Sequence, residues 1–131
     1  MKLRIRGNSI RVRMGEREVA ELAKDGRVSD SIQFSVSPPT SLAYTVVTAP
    51  DEKEITARFA GTEITVTVPS GAAKEWANSE QVGLSREQPT GSGLSLAILI
   101  EKDFRCLTPR PGEDQSDSFP NPAQGKSCDH R

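Results

Sequence analysis

Apolar and polar residues alternate on both sides of Gly7-Asn8, from Lys2 to Met14, so the chain opens as a β-hairpin on a two-residue turn. That register sets Ile5 opposite Ile10 and Leu3 opposite Val12 on one face. The other face carries Lys2, Arg4, Arg6, Arg11 and Arg13, with Arg4 opposite Arg11 and Lys2 opposite Arg13. Between Gly15 and Asp25 the period becomes helical: Val19, Leu22 and Ala23 share one side, Glu16 and Glu18 suit the N-terminal end of the dipole, and Gly26 is a natural stop. Alternation returns from Arg27 to Val36 and ends at Pro38-Pro39. It resumes over Leu42 to Thr48, Glu54 to Phe59 and Glu63 to Val68, with turns at Pro50 to Lys53 and Ala60 to Thr62. Such a succession reads as a meander with one apolar face. Ser70 is placed to cap a second helix carrying Ala72, Ala73, Trp76 and Ala77, and Trp76 would anchor that helix to the sheet. Asn78 to Gly93 reads as a polar, glycine-bearing loop, with Gly91-Ser92-Gly93 as the entry to a last strand. That strand, Leu94 to Lys102, is apolar on both faces and is expected to be central.

These elements predict a single α+β domain over residues 1–107, mostly antiparallel, in the order ββαββββαβ with two short helices. An extended C-terminal segment over 108–122 would pack on it, pinned by Phe119, and 123–131 would form a flexible tail. The 131 residues suit one domain, and with 34% hydrophobic residues and one Trp the core must rest on Ile, Leu, Val and Ala. No fixed-period self-similarity stands out, which argues against a repeat architecture. The longest apolar run, Leu96 to Ile100, is too short to span a bilayer, and no signal segment is recognisable at the start. Two cysteines in a polar context argue for reduced thiols and a cytoplasmic setting.

Several stretches have the look of a known set. KLRIRGNSIRVRM, EVAELA, ITVTVP before the Trp, QVGL, and EKDFRCLTPRPGEDQSDSFPNP together resemble a family of small uncharacterised bacterial proteins, from about Lys2 to Pro122. The resemblance implies one domain with an ordered C-terminal segment, in a bacterial cytoplasm. It implies no reaction, ligand or site residue.

The net charge of −1 gives no global attraction to nucleic acid or membrane, but its distribution is uneven. Like charges directly opposite on a sheet destabilise it. The cations of the first hairpin must therefore be solvated, paired, or used to hold an anion. Glu54, Glu63 and Glu101, or Glu113, Asp114 and Asp117 of the C-terminal segment, are available for pairing. For anion binding the candidates are Lys2, Arg4, Arg6, Arg11, Arg13 and Arg58, since guanidinium forks match phosphate oxygens. Exposed aromatics do not interleave with these cations, so nucleic acid is not the expected partner. Cys106, Cys128 and His130 lack the paired short spacing of a zinc site, and Glu113, Asp114 and Asp117 lack the pattern of a calcium loop. No catalytic residue, cofactor motif or metal ligand can be named. The reading is thus a small binding or accessory module acting on an anionic ligand or a protein partner. The alternative is an enzyme on a phosphorylated or polyphosphate substrate, with arginine clamps and a carboxylate-held metal. Triphosphate-tunnel enzymes combine such groups, but their alternating N-terminal glutamates are replaced here by alternating cations.

Overall fold

The computed structural model describes residues 1–104. The opening alternation forms the expected hairpin, β1 (Lys2–Arg6) against β2 (Ser9–Met14), in the register read from the sequence. Helix α1 (Glu16–Asp25) follows. Gly15 donates its N–H to the Glu18 carboxylate at 2.9 Å, which satisfies one open donor at the helix start. Gly26 closes the helix at φ 79° and donates to the Leu22 carbonyl; a Cβ there would meet Thr48 Oγ1 at 2.9 Å. The chain continues through β3 (Arg27–Val36), β4 (Pro39–Ala49), β5 (Thr56–Ala60), β6 (Glu63–Pro69), α2 (Ser70–Ala77), β7 (Gly83–Gly91) and β8 (Leu94–Lys102).

The described residues thus form a small α+β domain of eight strands and two helices in two mostly antiparallel sheets. Four details depart from the sequence reading. Asn78 to Gly93 is not all loop: Gly83–Gly91 is a strand, and the order ends αββ. The strands divide between two sheets, β1-β2-β8-β7 and β5-β6-β4-β3, instead of forming one meander. In each sheet the two central strands, β2 with β8 and β6 with β4, come from different hairpins and run parallel. Ser70 opens α2 as its first residue, with Pro69 at the cap position and no side-chain cap bond.

A fifth departure is the largest. The chain is an internal duplication, with β1-β2-α1-β3-β4 and β5-β6-α2-β7-β8 following the same course. Each half gives its first hairpin to one sheet and its second to the other. Ser9 pairs with Ala97 in one sheet, and Glu63 with Ala43 in the other; Ser9 and Glu63 lie 54 positions apart, as do Ala43 and Ala97. The same offset relates Ile10 to Ile64, Val12 to Val66, Met14 to Val68, Leu22 to Trp76, and Ser41-Leu42-Ala43 to Ser95-Leu96-Ala97. The long hairpins even carry a register shift at equivalent places, between Gln33 and Ser35 and between Pro89 and Gly91. A repeat taken once is invisible to a search for periodicity, and most of the shared residues are ordinary core aliphatics.

The inner faces of both sheets share one core. Val12, Met14, Ile98 and Ile100 of one sheet meet Val46, Val66 and Val68 of the other. The helices pack on each other and on β2, β3, β4 and β6, inserting Val19 and Leu22 from α1 and Ala73 and Trp76 from α2. Fully burying an aliphatic side chain of this kind contributes roughly 1.5–3 kcal/mol. Trp76 is fully buried and its indole N–H donates to the Val82 carbonyl at 3.2 Å, so it anchors α2 as expected.

One flank of the sandwich is laced shut. Gln88 on β7 accepts from Ala57 N–H at 2.8 Å and donates to Ala57 C=O at 3.0 Å, imitating a neighbouring strand for the edge of β5. Arg86 donates to the Ile55 carbonyl at 2.7 Å and lies 3.1 Å from the Glu54 carboxylate. On the opposite flank Asp30 and Ile32 hold the positions equivalent to Arg86 and Gln88. There Asp30 accepts from the Ser31 N–H at 2.8 Å, and Ile32 has no polar group to offer a strand edge.

Candidate anion-binding face

Strand alternation turns Leu3, Ile10, Val12 and Met14 into the core, and the same alternation turns Lys2, Arg4, Arg6, Arg11 and Arg13 outward. The five cations therefore share one outer sheet surface, with Arg4 directly opposite Arg11 and Lys2 opposite Arg13. β8 lies beside β2 and presents Glu101 next to Arg13. One oxygen of Glu101 stands 3.5 Å from the Nε of both Arg11 and Arg13, so a single carboxylate serves two guanidinium groups at long range. Lys2 reaches Asp103 at 3.0 Å. Arg11 and Arg13 keep 28% and 17% of their side-chain surface and Lys2 63%, so the surface is accessible to a ligand.

The remaining candidates lie elsewhere. Arg58 is on β5 in the other sheet, at the position equivalent to Arg4, so it does not join the hairpin cations. Of the acids considered for pairing, Glu101 faces the arginines. Glu54 instead meets Arg86, and Glu63 accepts a hydrogen bond from the Thr45 hydroxyl at 2.6 Å. Asp103 was missed as a partner for Lys2; its position just past β8 becomes meaningful only once β8 is known to run parallel to β2. Glu113, Asp114, Asp117, Phe119, Cys106, Cys128 and His130 lie outside the described residues.

The outer face of the other sheet is built from hydroxyls. Ser29 and Thr45 share a hydrogen bond of 2.8 Å, and Thr56, Thr65 and Thr67 occupy positions equivalent to Lys2, Arg11 and Arg13. Half-buried Tyr44, paired with Asp30 on the inner side, is held above the ordinary phenol range by its burial and then by the Asp30 and Glu18 charges. Among the described residues no group of three or more His, Cys, Asp or Glu is placed to hold a metal, and no helix is long and apolar enough to cross a membrane. A cavity of about 840 Å³ opens between α1, α2 and the end of β8, walled by Met14, Val19, Ala23 and Lys74. Phe104, the last described residue, stands in that wall and the chain continues from there.

Comparison with family models matches residues 1–123 to a family of unknown function, DUF7009. The chain belongs to this family. The DUF7009 match spans both halves of the duplication, so the paired halves and the basic hairpin lie within one family unit. No curated protein and no solved structure matches the chain.

Proposed function

We propose that this DUF7009 protein is a binding module whose outer β1-β2-β8 face holds a phosphate-bearing anion. One observation carries the reading: strand alternation gathers five cations of a single hairpin on one outer face. Alternate residues on a strand repeat at about 6.6–6.8 Å, so the cations form two short rows suited to an extended polyanion such as pyrophosphate or triphosphate. Arginine at most of these positions favours bidentate contact with phosphate oxygens. The binding reading is favoured over the hydrolase alternative because, among the described residues, the hairpin arginines line an outer sheet surface and none of them walls a described cavity. The sparse cysteines favour a cytoplasmic site of action.

Thermal unfolding with phosphate, pyrophosphate, triphosphate and a short oligonucleotide, each with and without magnesium, tests the reading. An anion present at one hundred times its dissociation constant stabilises the fold by about 2.7 kcal/mol. The expected result is a shift with pyrophosphate or triphosphate that disappears in the Arg4→Gln, Arg11→Gln double variant. A flat response, or a shift that survives the double variant, overturns the proposal.

A further inference from the structure

The helices cover one end of the sandwich, while the other end, at the turns Gly7-Asn8 and Gly61-Thr62, is open. A cavity of about 430 Å³ sits there, walled by Ile5, Ile10, Leu42, Phe59, Ile64 and Leu96. These six are three pairs related by the duplication: Ile5 with Phe59, Ile10 with Ile64, and Leu42 with Leu96. The cavity therefore lies on the axis that relates the halves, between the sheets. Val12, Val66 and Ile98, the next inward-facing residues along β2, β6 and β8, belong to the buried core. At its rim Ile5 and Phe59 are 62% and 66% exposed, so two large apolar side chains stand in water at equivalent positions.

The one charged residue in the wall is Arg58, and among the described residues it makes no ion pair. The polar neighbours are already engaged: Asn8 donates to the Ser95 carbonyl and Ser9 to the Arg6 carbonyl, each at 2.6 Å. An apolar recess of this size, with a lone cation at its edge, falls within the usual range of small-molecule sites, about 300–1,000 Å³. We propose that the open end binds a single-chain anionic amphiphile, its hydrocarbon tail between the sheets and its head group at Arg58. This site is separate from the basic face, and its occupant is recognised by a different chemistry.

Titration calorimetry of the full chain with decanoate, below its micellar range, is the test. One site per chain is expected, weakened about tenfold in Arg58→Gln, the loss of a charged hydrogen bond. Decanol, which lacks the charge, should bind wild type and Arg58→Gln alike. Ile5→Asp alters an exposed position that the fold does not need, and should abolish decanoate binding by repulsion. Absence of binding to wild type, or equal decanoate affinity in all three proteins, overturns the proposal. So does a concentration-dependent dimer in light scattering that Ile5→Asp dissolves, because the rim would then be a self-association surface. Pyrophosphate responses through Arg4 and Arg11 are unaffected by either outcome.

Discussion

The two halves of the chain share a core but not a surface. Val12 and Val66, Met14 and Val68, and Leu22 and Trp76 fill equivalent buried places. On the outside, Lys2, Arg4, Arg6, Arg11 and Arg13 of the first hairpin correspond to Thr56, Arg58, Ala60, Thr65 and Thr67 of the second. The duplicated backbone demands apolar side chains inward at both sites, because each must fill the same space between sheets. It demands nothing outward beyond β-compatible polar residues. The outer surfaces accordingly differ, one bearing cations and one hydroxyls, and the flanks differ too. Gln88 laces β7 to β5, while its equivalent, Ile32, is 47% exposed.

The comparison is broken most severely at the shared core. Trp76→Ala empties the largest buried side chain and is expected to lower stability by about 3–5 kcal/mol, with Leu22→Ala, at the equivalent place, costing about 2–5 kcal/mol. Denaturant unfolding measures both; a small loss at either position would show that the halves do not share the core equally. The flanks come next. Gln88→Ala removes both partners of the Ala57 backbone and should cost about 1–3 kcal/mol, whereas Ile32→Ala should cost under about 1 kcal/mol. Equal losses would remove the distinction between laced and open flanks.

The outer faces are sharpened by exchange. Placing the second hairpin's residues on the first, Arg11→Thr with Arg13→Thr, should cost about 1–3 kcal/mol, since half-buried Glu101 then loses both guanidinium partners. The pyrophosphate response should vanish. If the exchange instead unfolds the protein, the cations are structural. The smallest effect concerns Tyr44, the only tyrosine, which makes a spectroscopic titration unambiguous. Its folded pKa lies above the ordinary 10.0, so the folded state holds the phenol proton more tightly than the unfolded chain. The resulting stabilisation is complete below pH 10.0 and is lost as pH rises through the folded value. Asp30→Asn should move the titration toward the ordinary value without reaching it, because burial is the larger cause.

Much of the local structure was readable. The first hairpin's register, the bounds of α1 to within a residue, the central place of β8 and the anchoring role of Trp76 follow from side-chain period and turn chemistry. β7 escaped because its inward positions after Leu84 are Arg86 and Gln88, polar residues that serve the edge of β5 across the sandwich. Without β5 beside them they look like loop residues. The cationic face was legible for the opposite reason: its five members belong to one hairpin, so a local register assembles them.

Outside β7, the sequence by itself determined which way the strand side chains face, because turns and alternation act over a few residues. Only the tertiary structure decided which hairpins share a sheet. The parallel contacts of β2 with β8 and β4 with β6 join segments far apart in the chain, and no local period encodes such a partner. The same step placed Glu101 beside the arginines, separated Arg58 from them, and left an apolar recess where the two halves meet. Those features arise from the burial of two half-cores against each other, a term that exists only when both halves are present.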